Sequence, residues 1–322
     1  MNPLANGSRK QNTQSAKSIC ADYLIMLIAP CVMAFVYYGA RSLLVLASAV
    51  VPAIITDALA GIVLRKKIYI RDLSAIFTGA VIALMMPSGV PLYVPAFASI
   101  FAIGVAKAPF GSSAKAPFVP AAAGFAFASV CFKEQVFSYT VGTRDAVFGS
   151  TSLGSMLMKG SSVHVGTANI FDIFIGNTAG PMGTGCILLM AACAVYLLIR
   201  RPKALLSSVG FIAACMLMVV LFPRVPSSMK SNIIPELCSG SLMFAAVFLI
   251  TDPSTLPRKN LNKIIYGAVC GIICISMRHM GAYEETVCFA VLLTNALRPI
   301  FDSAIEKMPS IAKKSPRKEV TE

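Results

Sequence analysis

Apolar residues run along this chain in blocks, broken by short polar gaps. The blocks are Tyr23–Tyr38, Leu43–Leu64, Val94–Val105, Gly185–Ile199, Leu205–Phe222, Leu237–Ile250, Ile264–Met277 and Val287–Leu297. A helix needs roughly 20 mostly apolar residues to cross a bilayer, so the shorter blocks must be completed by small or polar neighbours. With Ser74–Pro87 and the small-residue stretch up to Phe127, the pattern predicts about ten spans in an all-α polytopic membrane protein, with no strand periodicity. No small-residue cleavage site follows the first block at signal-peptide distance, so no signal peptide is expected.

Proline and glycine mark where the spans break. "TGAVIALMMPSGVPLY" (Thr78–Tyr93) and "MFAAVFLITDPSTLPRK" (Met243–Lys259) both end an apolar run in Pro-Ser-x-(Val/Leu)-Pro. Membranes tolerate broken helices only where protein or a polar cavity covers the backbone. The two stretches fall at opposite faces, the arrangement given by two inverted repeats of about five spans each. Met86–Pro91 and Thr251–Pro257 are then half-helix junctions, or else ordinary helix-ending loops. The organisation expected is an amino tail over 1–20, a first membrane repeat over 21–132, an extracytoplasmic loop over 133–182, a second repeat over 183–302 and a basic tail over 303–322.

Composition agrees with lipid as the solvent: 57% of residues are hydrophobic, 13% are charged, and mean hydropathy is +0.75. The net charge of +14 would suggest nucleic acid in a soluble protein; here the basic residues are read as topology marks, and no nucleic-acid partner is expected. Most of them fall on one side: the amino tail, Arg65–Arg71, Lys107–Lys115, Arg200–Lys203, Arg258–Lys263 and the tail from Arg298. Arg41, Lys133, Arg144, Lys159, Arg224, Lys230 and Arg278 fall on the other. Both termini are therefore expected in the cytoplasm. The ten cysteines lie almost entirely inside apolar runs, as small hydrophobes do, and no disulfide or metal framework is expected.

The longest polar gap holds "GTRDAVFGSTSLGSML" (Gly142–Leu157). Gly149 permits a turn, and Ser150 and Thr151 can cap a following helix. Ionisable residues within or beside the apolar runs are Asp57, Glu236, Asp252, Glu284 and Glu285. Such a charge needs a partner or water. Asp252, between Thr251 and Pro253, is expected to be buried. Glu284 and Glu285 suit a helix amino end, and Arg298 and Asp302 can pair four residues apart. His164 and His279 carry no ligand role. No nucleotide loop, nucleophile triad or metal cluster stands in the sequence.

Asp145-x-x-x-Gly149-Ser150-Thr151 resembles the acceptor motif of flavin transferase, which links the phosphate of FMN to a threonine hydroxyl. The chain as a whole resembles the RnfD/NqrB family of membrane flavin subunits of Rnf and Na⁺-pumping quinone reductase complexes. The resemblance runs through Asp72–Pro87, Phe110–Phe127, Leu242–Pro257 and Tyr266–Asp302, where Arg278, Gly281, Glu284, Asn295 and Asp302 fall in place. It departs from the family at Phe148, at Thr184 in "GPMGTGC", at Val119-Pro120-Ala121 and at Asp57, which replaces an early glutamate.

The resemblance implies a urea-transporter-like inverted fold in a bacterial inner membrane, with the 133–182 loop extracytoplasmic. It implies FMN held by a phosphoester on Thr151, with Asp145, Gly149 and Ser150 shaping the turn, and it leaves open a second, non-covalent flavin. Thr251, Asp252 and Asp57 become candidates for a flavin environment or an ion path. The implied partners are other Rnf/NQR-like membrane and peripheral subunits and the flavin transferase, in a translocase coupled to Na⁺ or H⁺ and not catalytic alone. The rival readings are a channel for a small polar solute and a non-pumping structural paralogue.

Overall fold

The computed structural model describes residues 3–64, 73–110, 116–139, 174–176, 180–223, 236–238, 240–257, 259–280 and 286–307, with side chains between 18 and 300. The described residues are helical and contain no strand. Their helices are α1 (Pro3–Tyr38), α2 (Ala40–Val63), α3 (Ser74–Leu84), α4 (Tyr93–Phe101), α5 (Pro120–Cys131), α6 (Lys133–Val136), α7 (Ile187–Arg200), α8 (Pro202–Leu221), α9 (Leu242–Phe248), α10 (Asn260–His279) and α11 (Thr286–Lys307). α4 continues through a π turn, Ala102–Lys107, into a short 3₁₀ turn, Ala108–Phe110. Five segments are long and apolar enough to cross a membrane: Ser18–Tyr38, Ala40–Val63, Tyr93–Phe110, Pro202–Leu221 and Asn260–His279. Exposed leucines, isoleucines and valines line α1, α2 and α7. In water such a surface would drive aggregation, whereas against acyl chains it is the expected one.

Proline sets several boundaries. Pro120 and Pro202 open α5 and α8 at the first turn, where the missing N–H is no loss. α3 stops before Pro87 and α9 before Pro253, because proline can neither donate the next bond nor leave its predecessor helical. α9 has only seven residues, about 10 Å of rise, so it reaches roughly a third of the way across the hydrocarbon. The apolar block Leu237–Ile250 thus holds a half-helix and not a full span.

Apart from the four-residue α6, the described helices fall into two runs of five in which the third is short: α1 to α5, and α7 to α11. Within each run the second and fourth members lie side by side and parallel. Arg41 Nη2 donates to the Val90 carbonyl (3.3 Å) near the start of α2 and α4, and Lys107 meets Asp57 near their ends. In the second run Gly267 of α10 faces Ser207 of α8 and Gly271 faces Phe211.

Between runs the direction reverses. Near the start of the apolar span Ser18–Tyr38 of α1, Asp22 binds Arg200 (2.8 Å) at the end of α7. Further along, the Cys193 thiol approaches the Met26 carbonyl (3.6 Å), and Tyr38 at the end of α1 reaches the Gly180 carbonyl ahead of α7 (3.5 Å). Antiparallel first helices with matching internal packing are the geometry of an inverted repeat. The bundle therefore has two distinct ends, called here the Asp22 end and the Arg41 end.

The tightest crossing is α8 on α10. A Cβ on Gly267 would lie 2.0 Å from the Ser207 carbonyl oxygen, and one on Gly210 2.4 Å from that of Ile264. Only hydrogen fits there, which lets two backbones touch where no hydrophobic force draws helices together. The buried core runs continuously from α1 through α3, α5 and α9 to α11, with Phe125, Phe211, Phe244 and Phe248 among its largest members. All ten cysteines are free thiols, five of them buried.

Candidate functional site

Two helix breaks place polar groups inside this core, one in each run. The break after α9 lies toward the Asp22 end. Its helix ends in carbonyls that have no successor N–H, and side-chain hydroxyls supply the missing donors. Ser208 donates to Ala246 (2.5 Å), Ser207 approaches Ile250 (3.4 Å), Thr251 bonds back to Val247, and Tyr23 of α1 donates to the Thr251 carbonyl (2.6 Å). Asp252 follows, 7% exposed, and its carboxylate accepts the Ser254 amide (2.9 Å), closing an Asx turn around Pro253. The Thr255 and Leu256 amides return to the Asp252 carbonyl. Behind this turn Tyr266 donates to the side-chain oxygen of Asn295 (2.5 Å), both residues being buried.

This break gathers seven hydroxyls, those of Ser254 and Thr255 in the turn itself included, with a carboxylate and an amide at the negative end of a helix dipole. Each hydroxyl that donates to a carbonyl still offers lone pairs, so the site suits a cation or a donor-bearing group. Thr251 and Asp252 fall where the sequence places them. Tyr23, Ser207, Ser208, Tyr266 and Asn295 are contributed by other helices, and no local spacing singles them out.

The break after α3 lies at the Arg41 end. Here main-chain amides do the capping: Gly183 donates to Leu84 (2.9 Å) and Met182 to Met86 (3.0 Å). The segment ahead of α7 thus closes the half-helix of the other run, as Tyr23 of α1 does for α9. Thr184 is buried beside it.

Thr151, Asp145, Gly149 and Ser150 lie outside the described residues, as do Glu284 and Glu285. The described residues on either side of 140–173 sit at the Arg41 end. Val136 and Tyr139 are buried after α5, and the Ile175 carbonyl accepts from Tyr37 at the close of α1 (3.1 Å).

Asp57 is not at either break. Its Oδ1 lies 2.7 Å from the ammonium of Lys107, with side-chain exposures of 26% and 5%. The sequence pattern puts Lys107 in a polar connection after the α4 span. Instead it closes the π turn inside that span, its stem laid along apolar surface and its charge neutralised by Asp57. A π turn widens the helix and often marks a functional position. Glu236 and Arg278 form a second buried association near the Arg41 end: Arg278 donates to the Glu236 carbonyl (2.9 Å), and its charge lies 3.7 Å from the carboxylate. His279 caps two helix ends there, its ring nitrogens 2.8 and 2.7 Å from the carbonyls of Ile275 and Phe222.

Comparison with known proteins matches this sequence to one family. The sequence profile of the NQR2, RnfD, RnfE family matches residues 5–310. The D-type component of the proton-translocating ferredoxin:NAD(+) oxidoreductase complex of Clostridium ljungdahlii is 26% identical over 303 residues, 90% of each chain. Its counterpart in an ion-translocating oxidoreductase complex of Stutzerimonas stutzeri is 29% identical over 267 residues, 72% of this chain and 73% of the relative. The corresponding component of the Na(+)-translocating ferredoxin:NAD(+) oxidoreductase complex of Acetobacterium woodii is 26% identical over 291 residues, 89% of this chain and 88% of the relative.

Proposed function

The chain belongs to the NQR2, RnfD, RnfE family, and from that premise we propose that it is the D-type membrane component of an Rnf-like ion-translocating electron transport complex, carrying FMN on Thr151. The observation that carries this reading is the match along almost the whole chain to D-type components of ion-translocating oxidoreductases. In support, the sequence Asp145-x-x-x-Gly149-Ser150-Thr151 sets small residues beside a threonine hydroxyl that can take the flavin phosphate. Both described flanks of that segment are anchored at the Arg41 end, opposite the basic Asp22 end. By the charge asymmetry of membrane proteins the basic end faces the cytoplasm, so a group on Thr151 is attached on the far side. A bound flavin supplies one- and two-electron redox chemistry; the chain supplies its tether and a lipid-embedded frame. Na⁺ or H⁺ coupling, partner subunits in the membrane and at its surface, and a separate flavin transferase belong to the same reading.

The break after α9, with Asp252, Thr251 and its ring of hydroxyls, is assigned to the ion path or to the surroundings of a flavin. Asp57 is assigned to the same path only through its pairing with Lys107.

The test is a peptide mass spectrum of the protein produced together with a flavin transferase. The expected result is addition of FMN less water on the peptide containing Thr151, and no flavin fluorescence in denatured Thr151→Ala. Unmodified Thr151 in a preparation whose other subunits are flavinylated overturns the reading.

A further inference from the structure

The parallel pair α8 and α10 begins side by side at the Asp22 end, in the register set by Gly267 on Ser207. Two helix amino ends therefore lie together, each with a partial positive charge; Pro202 has no N–H and the Ala204 amide bonds the Arg201 carbonyl, so most of the unsatisfied amides belong to α10. Helix starts are ordinarily relieved by a capping side chain or an acid in the first turn. Neither is present: the N-cap residues are Arg201 and Lys259, neither makes a side-chain cap, and neither first turn contains an acid. Lysines stand there instead, with Lys203 as the second residue of α8 and Lys263 in the first turn of α10.

Lys263 makes this more than a basic helix end. It is only 7% exposed, yet among the described residues it has no hydrogen bond and no ion pair. The charge that acts on it is that of Lys203, of its own sign. The nearby acids are already committed: Asp22 holds both Arg200 (2.8 Å) and Arg201 (3.3 Å), and Asp252 is turned to the Ser254 amide. A lysine whose stem is buried, held beside a second cation and two positive helix ends, calls for an anion.

We propose that the notch between the starts of α8 and α10 binds a phosphate group through Lys263, Lys203 and the first-turn amides of α10. Both helices are 20 residues long and apolar, so the notch lies at headgroup level. The phosphodiester of an anionic phospholipid is the source the position favours. Basic pockets between helices take such headgroups. Free phosphate shares the chemistry and is separated from it by experiment. This inference does not depend on the flavin assignment.

The test uses the full chain in micelles. Native mass spectrometry follows retention of phosphatidylglycerol, with phosphatidylcholine as reference. Inorganic phosphate is titrated separately against the thermal midpoint. Lys263→Met keeps the stem in its apolar surroundings, Lys203→Gln changes an exposed residue that cannot decide folding, and Arg41→Gln serves as a control at the opposite end. The expected result is phosphatidylglycerol retention about tenfold weaker in each lysine variant, the effect of losing one charge-assisted contact, and unchanged in Arg41→Gln. If inorganic phosphate raises the midpoint of the wild type but not of the lysine variants, the notch is a phosphate site supplied from solution. Equal lipid retention in all variants, with no phosphate effect on any midpoint, overturns the proposal.

Discussion

Replacing either member of the Lys107–Asp57 pair tests whether an ion pair inside the first repeat holds it together. At 2.7 Å and an effective dielectric of about 20, the attraction is about 6 kcal/mol before desolvation is charged against it. Losing one partner of a buried pair costs about 3–5 kcal/mol, because the survivor is left charged in apolar surroundings. The two survivors differ here. Asp57 keeps 26% of its side chain exposed, whereas Lys107 keeps 5%. Lys107→Met leaves the wetter group and is expected to cost about 2 kcal/mol; Asp57→Asn strands the drier one and is expected to cost about 4 kcal/mol. At roughly 2 °C per kcal/mol for a chain of this size, the midpoints fall by about 4 and 8 °C.

The chain has no tryptophan but has buried thiols at Cys193, Cys215, Cys270, Cys274 and Cys288. Their reaction with a maleimide dye during heating reports unfolding directly. The double variant should melt above Asp57→Asn, since neither charge is then stranded. If the two single losses are equal, or add without coupling in the double variant, the pair is a solvated contact and the reasoning fails.

Two further outcomes rest on single contacts. Gly267→Ala places a methyl 2.0 Å from the Ser207 carbonyl and should lower stability by about 3 kcal/mol, whereas Gly104→Ala, whose Cβ meets only the Thr56 methyl at 3.7 Å, should change it by less than about 0.5 kcal/mol; thiol-reactivity melts of the two variants compare them. Tyr266→Phe leaves the Asn295 side-chain oxygen without its donor in the core and should cost about 2 kcal/mol; the same melts should show part of that loss recovered in Tyr266→Phe/Asn295→Leu, which removes the stranded group.

The helices themselves were legible in the sequence because lipid imposes one simple demand, that every backbone polar group be bonded within its own segment. Apolar run length, proline position and the bias of lysine and arginine are all local, and they locate α1, α2, α4, α8 and α10 and the breaks at Pro87 and Pro253. The burial of Asp252 could also be read, since a carboxylate between a threonine and a helix-ending proline has few other places to go. The resemblance through Asp72–Pro87 and Tyr266–Asp302 carried the family in the same way, as strings of neighbouring residues.

Partnership across the bundle was not legible. Lys107 reads as a topology mark until α2 and α4 lie parallel and bring Asp57, fifty positions earlier, to its ammonium. Tyr23 and Thr251 are 228 positions apart, and only the antiparallel course of α1 and α7 sets the first run against the break in the second. Lys263 looks like one more basic residue at a helix start. Its burial beside Lys203 follows from glycines that let two helices begin at the same level. Local chemistry decides which segments are helical, while the charges and hydroxyls inside a membrane protein are paired by helices far apart in the chain, and those pairings exist only once the helices have packed.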